Sequence, residues 1–201
     1  MAFRLNDPQS SSGGVPEEDP LKRAGLLLKT GAPAQRQKAL RFLIRQRAET
    51  ILSDCLRHPD MLTVGLAIEG LWECWLNEKG RSARRRMDAG VSSMELHDFE
   101  RAEAAFLGLM ADFPDWAEAI NKQATLQYLR GQSAVGLTLC QTVVRMKPHH
   151  FGAWNGLALC AAQLNKWGLV RDAAKAGLNL LPSSEANQHL LALAEGHLAE
   201  E

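Results

Sequence analysis

Aromatic residues make up only 6% of the 201-residue chain, with Tyr128 its single tyrosine. Net charge is missing as well: 23 Lys and Arg offset 23 Asp and Glu. No overall field therefore draws in nucleic acid or a membrane, and an electrostatic partner would have to read a local patch. No apolar run reaches the roughly 18 to 20 residues that span a bilayer, and the first residues lack the basic-then-apolar order of a secretory signal. The chain reads as soluble and intracellular, in the cytoplasm, with an organelle matrix or stroma as the alternative. Its four cysteines, Cys55, Cys74, Cys140 and Cys160, form no C-x-x-C pair, and each sits in a helical pattern. Buried free thiols in a reducing compartment are expected rather than a disulfide framework or metal site. Neither G-x-S-x-G, a P-loop, H-E-x-x-H nor a Gly-rich dinucleotide turn occurs, so nothing points to an enzyme, a cofactor or a metal.

What is present is a period. Pro114, Pro148 and Pro182 stand 34 residues apart, each closing a helix-turn-helix pattern. Counting back from them gives units 83–116, 117–150 and 151–184. Small residues fall in register: position 8 is Gly90, Ala124 and Ala158, and position 20 is Ala102, Gly136 and Val170. Large side chains there would hold paired helices apart. Phe99 and Phe106 in the first unit, and Trp154 and Trp167 in the third, take large packing positions, whereas Gln123 and Gly177 depart from the pattern.

On these residues, the stretch from about 83 to 198 resembles the tetratricopeptide repeat (TPR) family. Two runs, Trp116 to Thr125 (WAEAINKQAT) and Pro148 to Ala153 (PHHFGA), are similar to a subgroup of small bacterial-type and plant TPR proteins. The resemblance implies an all-α solenoid whose hairpins bury their apolar faces by stacking on one another. It implies binding, not catalysis.

Around the repeats, residues 1–19 form an acidic tail with too few apolar side chains to repay ordering, and are expected to be disordered. Residues 20–82 read as an N-terminal helical region. One helix starts at Asp19-Pro20 and stops near Gly31; a long helix carries apolar residues from Leu40 to Leu56; a third runs from about Asp60 to a stop at Gly80. Ile68, Trp72 and Trp75 on that third helix suggest half of a degenerate repeat. Residues 185–201, after Ser183-Ser184, give a capping helix with Leu190, Leu191, Leu193 and Ala194 on one stripe.

The resemblance also implies that the first helix of each repeat lines a concave groove, mainly through positions 2, 5, 9, 12 and 13. Met87, Asn121, Thr125, Tyr128 and Asn155 occupy such positions, with Lys122 beside them. They are the candidate partner-binding residues, a mildly apolar lining with side-chain amides for a peptide. The dicarboxylate clamp of chaperone-tail TPR domains is not reproduced: Met87, Val91, Gly152 and Gly156 replace its polar residues, and only Lys122 could hold a carboxylate. The expected function is a protein-protein interaction module, an adaptor, scaffold or assembly factor.

Two alternatives stay open. Between Leu21 and Ala48 there are eight Lys and Arg and no acidic residue, and Arg81, Arg84, Arg85 and Arg86 make a second basic patch. Either could meet RNA or an acidic surface, though aromatic side chains for base stacking are not interleaved with these charges, which weighs against nucleic acid. Short arrays can also pair through their ends into a homo-oligomer. His149 and His150 fall between helices, where capping and packing are expected, and Trp72, Trp75, Trp154 and Trp167 are expected in the core.

Overall fold

The structure, a computed structural model, describes residues 19–200; apart from Asp19, the tail expected over 1–19 lies outside the described residues, as does Glu201. The described residues form eleven α-helices and no strand. They build an all-α solenoid with an N-terminal helical bundle packed on its edge.

The bundle begins with α1 (Pro20–Thr30). Asp19 caps it by accepting the Leu21 N–H at 2.9 Å, and proline at the first turn loses no hydrogen bond. α2 (Pro33–Arg45) and α3 (Glu49–Cys55) follow. The apolar run from Leu40 to Leu56 is therefore two helices, not one long helix. Arg47 takes a left-handed backbone conformation at φ 50, and the Ala48 N–H reaches back to the Leu43 carbonyl at 3.0 Å. That is a helix stop of the kind glycine usually supplies; here the Arg47 guanidinium donates to the Glu78 carbonyl at 2.9 Å. Its period survives the break, so periodicity could not reveal it.

α4 (Met61–Leu76) is capped by Asp60, which accepts the Leu62 N–H at 3.2 Å and the Thr63 hydroxyl at 2.9 Å. Its buried side chains lie on more than one face, because α2 and α3 pack on it from one side and the solenoid from another. Gly80, at φ 84, turns the chain directly into the next helix.

Three hairpins follow: α5 (Gly80–Glu95) with α6 (Phe99–Asp112), α7 (Ala117–Leu129) with α8 (Ser133–Met146), and α9 (Phe151–Gln163) with α10 (Trp167–Leu180). Each turns through one left-handed residue, His97 (φ 60), Gly131 (φ 73) or Asn165 (φ 54). In each, the following N–H bonds five residues back: Asp98 to Ser93, Gln132 to Gln127 and Lys166 to Ala161. The α2–α3 turn at Arg47 has this same geometry.

The three prolines have one mechanical role. Each sits second in a four-residue turn closed by a backbone bond: Trp116 N–H to Phe113, His150 N–H to Lys147, and Ser184 N–H to Leu181, at 3.0 to 3.1 Å. Proline fixes φ at that position and needs no donor. Gly90 shows why position 8 is small, since a Cβ there would stand 2.6 Å from the Phe106 ring. Finally α11 (Glu185–Ala199) closes the last hairpin, its His197 ring stacked on Trp167 with centroids 3.8 Å apart.

Candidate interaction surface

The N-terminal bundle meets the solenoid at its inter-hairpin turns. Trp75 of α4 is fully buried, its ring stacked on His150 with centroids 4.1 Å apart and planes 16° from parallel. Trp72, one turn earlier, meets Phe151 edge-on at 5.3 Å. It lies so close to α9 that a Cβ on Gly152 would be 2.7 Å from the indole. The Trp116 indole N–H donates to the Trp75 carbonyl at 2.8 Å.

An acid from each half anchors this contact. Glu49, at the start of α3, accepts from the Trp75 indole at 2.9 Å, from His149 at 2.7 Å and from the Lys147 ammonium at 3.1 Å. Burial alone would raise its pKa, but the hydrogen bonds from His149 and Trp75 and the Lys147 charge outweigh burial and hold it at about 2. Glu118, on α7, is wholly buried. It accepts from His150 Nε2 at 2.9 Å and Asn121 Nδ2 at 3.3 Å, and Lys122 Nζ lies 3.0 Å from its other oxygen. His150 also accepts the Ala153 N–H through Nδ1 at 3.1 Å, which places its own proton on Nε2, facing Glu118. Burial raises the Glu118 pKa less than His150 and Lys122 lower it, so it remains a carboxylate.

Between α7, α8 and α9 lies a recess of about 140 Å³. Thr125, Tyr128, Asn155 and Leu159 line it together with Cys140 and Cys160. Like Cys55 and Cys74, both cysteines are buried and free.

No family model matches the chain. Over 75 residues it is 29% identical to a TPR repeat-containing protein of Rhizobium etli. The match spans 37% of this chain and only 37% of that relative's length. Among solved structures, it resembles the Sgt2 TPR domain of Aspergillus fumigatus (15% identity, TM-score 0.57), covering 59% of this chain and 80% of that one. The first TPR domain of human RPAP3 gives 16% identity and a TM-score of 0.56 over 59% and 93%. The second, solved with an HSP70 peptide, gives 13% and 0.52 over 56% and 98%. The fold is that of the tetratricopeptide repeat.

In the TPR array the sequence-predicted groove residues part company. Thr125, Tyr128 and Asn155 border the open recess, with Asn155 Nδ2 donating to Asn187 of α11 at 2.9 Å. Asn121 is buried against Glu118, and Lys122 is shared between Glu118 and the Trp72 ring, whose centroid is 5.0 Å away. Met87 is wholly buried in the core of the first TPR hairpin with Phe106 and Trp116, where Leu76 of α4 packs against the cluster; it presents nothing to a partner. Of the basic patch, Arg84 pairs with Glu73 and Asp88, and Arg86 with Asp112 at 2.6 Å. Arg81 and Arg85 have no ion pair among the described residues and face, with Arg84 and Asn77, a second hollow of about 390 Å³.

The histidines occupy the capping and packing places expected of them. What sequence reasoning missed is that Glu49, Trp72 and Trp75 belong to the same site as Glu118 and His150. Its signal was there in part: the two runs that carry the family resemblance contain Trp116, Glu118, Asn121, Lys122, His150 and Gly152, the residues that this contact joins.

Proposed function

We infer that the chain is a non-catalytic protein-protein interaction module, an adaptor, scaffold or assembly factor that takes a peptide segment into the open part of its TPR groove. The recess of about 140 Å³ bordered by Thr125, Tyr128, Asn155 and Leu159 carries this reading. It combines an apolar wall with a phenol and a side-chain amide, a lining suited to an apolar residue held by a hydrogen-bonded backbone. Support comes from the same fold in the human RPAP3 domain solved with an HSP70 peptide.

The ligand differs from that one. A chaperone tail needs several polar groups around its carboxylates, and here Met87 is buried, Gly152 and Gly156 carry no side chain, and Lys122 already faces Glu118 and Trp72. α4 covers the start of the groove, so the segment binds from Thr125 toward Gln163.

The test selects peptides from a random library on the full chain and measures their affinity by fluorescence anisotropy. Groove-bound peptides lose at least about tenfold in affinity on joint Thr125→Glu and Tyr128→Glu substitution, the size of one lost anchor. Both side chains reach solvent, so the melting temperature stays near that of the parent. Unchanged affinity would remove the groove assignment.

A further inference from the structure

The N-terminal bundle carries a second surface, away from the TPR groove. α1 and α2 leave between them an open hollow of about 390 Å³. Its floor is apolar: Ala24 and Leu27 from α1, Ala39 and Phe42 from α2. Leu27 and Phe42 remain partly exposed although they touch the core, and Leu26 beside them is 54% exposed. Its rim is cationic, formed by Arg23, Lys38 and Arg45.

This charge is local, and much of it has no acidic partner among the described residues. The chain as a whole is neutral, yet no acid occurs between Pro20 and Ala48. Arg36 is engaged by Asp60, and Arg47 by the Glu78 carbonyl. Arg23, Lys38 and Arg45 make no ion pair among the described residues. Lys38, Arg41 and Arg45 recur at spacings of three and four along α2 and so share one side of it. Arg41 and Arg45 also flank a neighbouring hollow with Ile44. An apolar trough beside a file of cations that make no ion pair among the described residues is the complement of a helix with an apolar stripe flanked by carboxylates.

We propose that the α1–α2 face binds an acidic amphipathic helix of another protein, its apolar stripe over Leu27 and Phe42 and its Asp and Glu side chains against Arg23, Lys38 and Arg45. The floor sets this partner apart from other anionic surfaces. A phosphate backbone gains nothing from Ala24, Leu27 and Ala39, and Phe42 is the one aromatic ring lining the trough on which a base could stack. A lipid surface is met by apolar side chains at a crest, whereas these lie at the bottom of a concavity.

The test displays a random library of helical peptides, about 16 residues long so that four turns can engage the trough, on the full-length chain. Selected peptides are enriched in Asp and Glu, with Leu or Phe recurring at three- and four-residue spacing. A labelled synthetic winner then binds at least about tenfold more weakly to the Arg23→Glu, Lys38→Glu, Arg45→Glu variant, and weakens as salt rises. The same winner binds the Thr125→Glu, Tyr128→Glu variant with parent affinity, which separates this site from the groove. Melting of the charge-reversed chain is followed in parallel, and a Phe42→Gln variant tests the floor without touching the rim charges.

Winners without acidic residues, or unaffected by both the charge reversal and Phe42→Gln, would overturn the proposal. So would displacement of the winner by a free peptide of residues 1–18 at comparable affinity, which would make the occupant the chain's own tail. Tighter binding of a single-stranded RNA oligonucleotide or of phosphatidylserine vesicles than of any winner would likewise overturn it.

Discussion

Trp75 and His150, one from the N-terminal bundle and one from a turn of the TPR array, stack with ring centroids 4.1 Å apart and neither ring open to solvent. The stack joins two parts of the chain that each have their own apolar cluster, and Phe151 and Leu181 of the array complete the bundle's core. Trp75→Ala removes one of the two fully buried tryptophans at this junction together with the indole bond to Glu49. The expected loss is about 3 to 5 kcal/mol, the range for truncating a core Trp or Phe to Ala. Urea unfolding followed by intrinsic fluorescence checks it, with a second transition appearing if the bundle lets go before the array.

Glu118 and His150 form the buried polar centre beneath that stack. Glu118→Gln keeps the volume but leaves Lys122 and the His150 Nε2–H facing a neutral amide, and breaking a buried pair from one side costs about 3 to 5 kcal/mol. His150→Gln loses the Ala153 cap as well. Because the two side chains share one interaction, the double variant costs less than the sum of the singles, by about 1 to 3 kcal/mol. A double-mutant cycle from urea midpoints measures that difference, and strict additivity would mean the pair is energetically inert.

How much of this could be read beforehand depended on where the determinants sit in the chain. The solenoid was legible because its causes are local and repeat: a proline that sets one turn backbone, and Gly90, Ala124 and Ala158 where helices touch. The break at Arg47 was not, because a left-handed arginine held by the Glu78 carbonyl is fixed by a residue 31 positions away. The groove positions expected from the family pattern took no account of α4. Leu76 packs on the cluster that contains Met87, and Trp72 lies on Lys122 and Gly152. Of the residues expected in the groove, Thr125, Tyr128 and Asn155 border the open recess.

Acid should loosen the junction through Glu49. Its folded-state pKa is about 2 against an ordinary 4.5, so between these values the unfolded chain binds more protons than the folded one. The stability it contributes is complete above about pH 4.5 and drains as pH falls toward about 2. Asp60, held near 2 by the Arg36 guanidinium, adds a contribution of the same sign. Glu49→Gln should therefore be less stable than the parent at neutral pH and lose less on acidification, so that the two converge. Urea midpoints at steps from about pH 7 down to about pH 3 give the comparison, and parallel curves would exclude Glu49 as a source of the acid sensitivity.

Two glycine-to-alanine substitutions test the docking of α4 with opposite signs. Gly152 opens α9 under the Trp72 indole, and a methyl group there would stand 2.7 Å from one ring carbon and 3.1 Å from another. Trp72 cannot retreat freely, since its edges also meet Phe151 and Trp75. Gly152→Ala is therefore expected to destabilise by about 1 to 3 kcal/mol, the usual cost of overpacking. Gly65 lies on the exposed face of the same α4, and nothing comes within 4 Å of a Cβ added there. Gly65→Ala should stabilise by about 0.5 to 1 kcal/mol, because alanine gives up less backbone freedom on entering a helix. Thermal melts of the two variants beside the parent decide the matter. If Gly152→Ala were as well tolerated as Gly65→Ala, Trp72 would not be seated on α9, and the start of the proposed groove would be open to a partner.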